Sequence, residues 1–159
     1  MITICTATLE HADGILECLH TAFAPYRHYY TTEGYEDSTL TRQSLLRRMK
    51  NMTIFVAIDL SGHVVATIAC NLIGKGEGHL RGMAVLPEHQ ATGIADRLLE
   101  HAEGELAEQC CSRITLDTTE PLQRAMRFYE RHGYERSGKV GDFFGMPLIE
   151  YEKHIRAKI

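Results

Sequence analysis

One stretch of the chain has the spacing to hold an anion. It runs Val85-Leu86-Pro87-Glu88-His89-Gln90-Ala91-Thr92-Gly93-Ile94-Ala95. An apolar run stops at Pro87 and a helical pattern starts near Thr92, so a tight strand-to-helix turn lies between them. The first N–H groups of such a helix have no partner inside it, and the helix dipole adds positive character there. Phosphate binds such a turn when small side chains let it approach, and Gly93 and Ala95 are small. The stretch is neither a GxGxxG fingerprint nor a Walker A loop, since no Gly-Lys-Ser/Thr follows. On spacing alone, an ordinary helix start without a ligand is the other reading.

The elements that must position this turn can be read from periodicity. Thr3 to Leu9 is a first strand, and a helical stripe of Ile15, Leu16, Leu19, Ala22 and Phe23 ends at Pro25. Pro25 to Asp37 shows no period and reads as a long aromatic and polar loop. Ser38 or Thr39 then caps a helix carrying Leu45, Leu46 and Met49. Ile54–Ile58 and Val64–Ala69 are strands joined by a turn at Asp59-Leu60-Ser61-Gly62. His79 to Leu86 is a fourth strand, and Thr92 to Gln109 is the clearest helix, with Ile94, Ala95, Leu98, Leu99, Ala102 and Leu106 on one face. Ile114–Leu116 is a short strand. A helix with Leu122, Ala125, Met126 and Tyr129 follows, and Tyr134–Val140 and Phe144–Tyr151 close the chain as strands. The long crossover between the fourth and fifth strands predicts that they are parallel neighbours, whereas the remaining strands are joined by hairpins. The expected fold is α/β: a mixed, mostly antiparallel sheet of about seven strands with one central parallel pair, flanked by about four helices.

Composition narrows the function classes. At 159 residues the chain has room for one domain, spanning 1–159. A formal charge of −4 makes it a poor general binder of phosphate backbones, so no nucleic-acid partner is expected. No apolar run is long enough to cross a membrane, and the N-terminus lacks a signal peptide's pattern, so the expectation is a cytoplasmic protein without a membrane partner. The five cysteines have neither CxxC nor finger spacing and read as reduced thiols. The nine histidines show no HExxH or clustered spacing, so no metal site is expected.

Two segments together resemble a known family. Gln90-Ala91-Thr92-Gly93-Ile94-Ala95 is similar to the Q/R-x-x-G-x-G/A signature of the GNAT N-acetyltransferases, preceded by a fitting strand and Pro87. Ala125-Met126-Arg127-Phe128-Tyr129-Glu130-Arg131-His132-Gly133-Tyr134 resembles that family's A-x-x-F-Y-E-x-x-G-F/Y segment, about 35 residues downstream. The resemblance implies acetyl-coenzyme A (acetyl-CoA) as co-substrate. Its pyrophosphate would lie on backbone N–H groups of Gln90, Ala91, Thr92, Gly93, Ile94 and Ala95. Its pantetheine arm would run beside Met83, Ala84 and Val85, with the acetyl oxygen on a backbone N–H near Met83 or Ala84. Two departures stand out: Leu122 sits where many relatives have Asn, and Ala91 replaces a frequent Gly. Thr118, Thr119 and Gln123 are the polar residues near enough in sequence to substitute for that Asn.

Chemistry limits the remaining roles. An alkyl ammonium must lose a proton before it attacks a thioester, and the departing thiolate benefits from a proton donor. Tyr129 holds the family's general-acid position; a core Tyr is the alternative. For the base the candidates are Asp117, Glu77 and His79, or a chain of waters. The acceptor site implied by the resemblance draws on Tyr26, Tyr29, Tyr30, Glu33 and Phe144, whose aromatic faces and carboxylate suit a cationic amine. The expected activity is direct acetyl transfer to a primary amine of a small molecule or peptide. A non-catalytic acyl-coenzyme A binding module is the rival. The family's habit of pairing subunits through sheet edges implies a homodimer.

Overall fold

The segment Thr53–Ile58 shows how one sheet divides the molecule. Its side chains alternate, so Phe55 and Ala57 enter one apolar cluster while Ile54 and Val56 enter another. The structure, a computed structural model, describes residues 1–157. Seven strands form the sheet: β1 Thr3–Thr6, β2 Thr53–Ile58, β3 Val64–Gly74, β4 Glu77–Val85, β5 Arg113–Thr118, β6 Glu135–Phe143 and β7 Met146–His154. Their order is β1-β2-β3-β4-β5-β7-β6. Among the described residues only β4 and β5 pair in parallel, as the crossover length predicts. Among the described residues five α-helices accompany them: α1 Ala12–Phe23, α2 Thr32–Thr39, α3 Arg42–Asn51, α4 Ile94–Glu108 and α5 Gln123–Arg131. Ile15, Cys18 and Leu19 of α1 and Leu45 of α3 pack on one face of the sheet. Leu98, Leu99, Ala102 and Leu106 of α4 and Met126 and Tyr129 of α5 pack on the other.

The aromatic segment after Pro25 differs from the expected loop. It holds a 3-10 turn, Ala24–Tyr29, and then α2. No apolar period announces α2, because it is held by its start and by one buried ring. Thr31 Oγ1 accepts from Gly34 N–H at 3.2 Å, and Tyr35 is buried. Ser38 and Thr39 therefore lie inside α2, with their hydroxyls donating to Gly34 O and Tyr35 O, both at 2.9 Å. The cap of α3 is Thr41, which exchanges bonds with Ser44 in a capping box. At the N-terminus β1 stops at Thr6, and Leu9 sits in a 3-10 turn rather than in the strand.

One irregularity in β4 sets up the site. In the β3–β4 ladder Thr67 pairs with Ala84 and Ala69 with Arg81, so Gly82 and Met83 together oppose Ile68. Gly82 takes φ +65°, which glycine adopts without steric cost. Such a bulge bends its strand and disrupts pairing. On the other side, β4 and β5 pair from Glu77–Arg113 only to Leu80–Leu116. Beyond that point the two strands part, and the second half of β4 has an unpaired edge.

Candidate active site

The parted strands open a cleft of about 470 Å³ that reaches the start of α4. Leu86 N–H donates to Val65 O at 2.9 Å, so Val85, one residue back, turns its N–H and C=O to the open edge. Gln90 Nε2 confirms that direction by donating to Val85 O at 3.2 Å. Strand alternation gives Met83 the same direction. Ala84 turns its side chain into the core cluster under α1.

The turn into α4 is built on two left-handed residues. Ala91 has φ +59° and Gly93 has φ +87°. Thr92 fixes the turn by donating its hydroxyl to His89 O. The helix begins at Ile94, two residues later than the sequence pattern placed it, with Gly93 as N-cap. Its first internal bond runs from Arg97 N–H to Gly93 O at 3.2 Å. The N–H groups of Ile94, Ala95 and Asp96 therefore have no acceptor within the helix. Nothing lies within 4 Å of where a Cβ on Gly93 would be, so the approach to this turn is open. Asp96, a carboxylate at that entrance, is held by His132 Nε2 at 2.7 Å.

Three arginines that the sequence reading passed over line the same cleft: Arg124, Arg127 and Arg131 of α5. Their spacing of three and four residues puts them on one side of the helix, and that periodicity was visible in the sequence. Arg124 Nη1 also donates to Gln90 Oε1 at 2.7 Å. Tyr129 lies on this wall too, buried between the rings of Phe128 and Tyr134. Burial raises its phenol above the ordinary value, so it stays protonated at neutral pH.

A second cavity, of about 300 Å³, meets the first. The two share Phe23, Arg81, Gly82, Asp117, Thr118 and Leu122. His79 and Asp117 stand together in it, with His79 Nε2 3.6 Å from Asp117 Oδ2. His79 Nδ1 lies 2.8 Å from Thr115 Oγ1, and that hydroxyl points its own hydrogen at Gly78 O, 3.5 Å away. In the tautomer with the proton on Nδ1, donated to Thr115, Nε2 is bare on the cavity side. Burial pulls the imidazole below its ordinary value, although Asp117 pulls the other way. Burial likewise raises Asp117, against the effect of His79.

Other expected residues fall elsewhere. Glu77 is bound to Arg113 at 2.9 Å, in the paired half of β4, and lines neither cavity. Four residues of strand, about 13 Å, separate it from Arg81, where the strands part. The Arg113 that holds it also meets Glu150 and Glu152, so Glu77 belongs to an ion-pair network. Tyr30 lines the smaller cavity and shares a 2.6 Å bond with Thr119, while Tyr26 lines the larger cleft. Tyr29, Glu33 and Phe144 line neither; Tyr29 packs at a tilt against His28, and Phe144 meets Phe143 edge to face. Of the three polar residues near Leu122, Thr118 walls both cavities, Thr119 is tied to Tyr30, and Gln123 folds back onto Glu120 O at 2.6 Å.

Comparison with known proteins agrees with this architecture. The family model described as Acetyltransferase (GNAT) family matches residues 15–134. N-alpha-acetyltransferase 30 of Schizosaccharomyces pombe is 27% identical over 93 residues, which are 57% of this chain. The chain spans 62% of the length of that relative. PaiA N-acetyltransferase of Thermoplasma acidophilum, solved in complex with coenzyme A, superposes with TM-score 0.80 at 19% identity, over 98% of this chain and 99% of that one. The ribosomal-protein-S18-alanine N-acetyltransferase of Escherichia coli superposes with TM-score 0.78 at 17% identity, over 100% and 97%. At such identities the structural likeness is one of fold. The family match covers most of the chain and takes in β4, the α4 turn and α5, and on that ground the chain belongs to the GNAT acetyltransferase family.

Proposed function

We propose that the protein moves an acetyl group from acetyl-coenzyme A directly to a primary amine, with both bound at once. The observation that carries this reading is the open edge of β4 between the unpaired N–H groups of α4 and a second cavity. An extended pantetheine arm fits an unpaired strand edge because it carries amides that complete the ladder at Met83 and Val85. The pyrophosphate fits the N–H groups of the turn from Gln90 to Ala95, and Arg124, Arg127 and Arg131 supply cations for the remaining phosphate charge.

The reacting groups then meet at the wall shared by the cavities. A backbone N–H of the bulge, at Met83, faces the thioester oxygen and stabilises the charge that develops on it. Neutral His79 takes the proton from the ammonium, with Asp117 beside the imidazolium that forms. The amine lone pair attacks the carbonyl carbon, a C–N bond forms and the C–S bond breaks. Tyr129 donates its phenolic proton to the leaving thiolate, and the second proton, shed by the new amide nitrogen, returns through solvent to the phenolate.

Direct transfer also agrees with the cysteines. Burial pushes the thiols of Cys18 and Cys70 up to about 12, so neither offers a thiolate at neutral pH. Cys5, Cys110 and Cys111 line neither cavity.

Titration with acetyl-coenzyme A and with desulfo-coenzyme A, on the native protein and on Gly93→Glu, tests the cofactor half. Saturable binding is expected, weakened about a hundredfold or more in the variant, whose carboxylate enters the phosphate turn. Thiol release across an amine panel tests the transfer. Absence of binding at millimolar cofactor overturns the reading. Binding without turnover of any amine makes the chain a non-catalytic acyl-coenzyme A binding module instead.

A further inference from the structure

The walls of the smaller cavity are not balanced in charge. Arg81 Nη2 reaches Asp37 Oδ2 at 3.3 Å, so those two charges offset each other. Arg48, from α3, also lines the cavity. Its Nη1 lies over the bulge, 2.7 Å from where a Cβ on Gly82 would sit. Glycine at that point is what lets the guanidinium lie against the strand. Among the described residues the Arg48 side chain makes no hydrogen bond or ion pair. Burial, and then the like charge of Arg81, lower it to about 10, with Asp37 acting weakly against them. A guanidinium carries five donors in a planar fork, and a half-buried wall that leaves them unused is unfavourable.

A second group nearby also lacks a partner. Thr118 Oγ1 is the one fully buried side-chain polar atom without a hydrogen-bond partner among the described residues. Thr118 is 4% exposed and walls both cavities. With Arg81 offset by Asp37 and His79 neutral, the cavity is left with one cation, Arg48, and one carboxyl group, Asp117.

We propose that the acceptor carries a carboxylate as well as its amine, with Arg48 receiving the carboxylate and Asp117 meeting the ammonium end. The ligand class is an amino carboxylate: a free amino acid, or a peptide whose terminal amine lies close to an acidic group. This rests on the acetyl-transfer reading for what happens to the amine, but not for its binding. The fork of Arg48 is the specificity element, since planar bidentate pairing is what a guanidinium offers a carboxylate and a neutral amide cannot return.

The test uses matched pairs, with coenzyme-A-loaded protein for binding and acetyl-coenzyme A as donor for transfer. Each free amino acid is set beside its carboxamide, and each dipeptide with an acidic second residue beside the form with its amide. Binding is read by calorimetry and transfer by thiol release, for native protein, Arg48→Gln and Arg48→Lys. Expected is a preference for the acid of about tenfold to a hundredfold, in affinity and in kcat/KM. Arg48→Gln brings the ratio near one, and Arg48→Lys restores part of it. A purely structural role for Arg48 lowers acid and amide together and leaves their ratio unchanged, which overturns the proposal. Equal binding of acid and amide by the native protein, or binding of neither, overturns it too. Acids bound through Arg48 but never acetylated uphold this inference and overturn the transfer reading. Whichever set of pairs shows the preference, free amino acids or dipeptides, identifies the source of the carboxylate.

Discussion

The two cavities share a wall, yet they are built from different material. The larger cleft offers mainly backbone: the edge of β4 at Met83 and Val85, unpaired by any strand, and the N–H groups that open α4, with Arg124, Arg127 and Arg131 beside them. The smaller cavity offers side chains drawn from separate elements: Asp37 from α2, Arg48 from α3, His79 and Arg81 from β4, Asp117 from β5. Backbone recognition depends on φ angles and on where pairing stops, so its residues are replaceable except where glycine is required. Side-chain recognition depends on identity, so a single replacement changes what is bound. The first suits a constant cofactor and the second a particular acceptor.

That contrast can be tested from its strongest consequence downward. Tyr129→Phe is expected to lower kcat about a hundredfold or more while leaving the affinity for acetyl-coenzyme A unchanged. Native turnover in that variant would remove Tyr129 from the chemistry and leave it a core ring. Gly82→Ala places a Cβ 2.7 Å from Arg48 Nη1 at a φ of +65°. We expect it to cost about 1–2 kcal/mol of stability and to lower kcat/KM about tenfold, because bulge and guanidinium must both shift. If only stability changes, the bulge is not what presents the thioester. Chemical denaturation and steady-state kinetics separate the two.

His79 gives a pH signature. Burial holds it below its ordinary 6.5, so the folded imidazole is still neutral where an unfolded one takes a proton. The acid limb of kcat/KM is therefore expected below that value. The unfolded chain binds more protons in this window, so folding stability falls as pH drops through it, and His79→Gln flattens that slope. A limb at or above 6.5 in the native enzyme would point to another base.

Smaller effects mark where recognition depends least on side chains. Ala91 occupies φ +59°, so Ala91→Gly relieves left-handed strain, offset in part by the greater freedom of glycine when unfolded. A net gain of about 0.5 kcal/mol is expected, seen as a slightly higher Tm, with cofactor binding retained. Glu77→Gln removes one of three carboxylates around Arg113. It should change stability by less than about 1 kcal/mol and leave kcat intact, which would distinguish the paired end of β4 from its open end.

The same contrast explains what could be read in the sequence. The turn into α4 was legible because left-handed geometry at a strand-to-helix junction selects a small residue, and Gly93 shows it. The parallel pair was legible because α4 makes the connection too long for a hairpin. The bulge was legible in principle, since Gly82 interrupts a strand pattern, but its place opposite Ile68 and under Arg48 depends on packing that the sequence does not show. Arg48 itself gave no signal, because an arginine on an amphipathic helix reads as solvated until α3 is packed against β4. The helix α2 was missed for a related reason: a cap at Thr31 and one buried Tyr35 hold it, without any repeating apolar face.

The common wall of Phe23, Arg81, Gly82, Asp117, Thr118 and Leu122 also has a pharmacological consequence. The two compartments abut along these residues, so a molecule reaching across them would occupy both. An amino carboxylate joined through a two-carbon linker to the sulfur of coenzyme A would occupy them together. Its second half would then bind at an effective concentration in the millimolar range, set by the tether rather than by the solution. Avidity of that kind commonly exceeds either half alone by about 10²–10⁴. The fold thus offers a route to a selective bisubstrate inhibitor in which the invariant cofactor half supplies the grip and the acceptor half the choice of target.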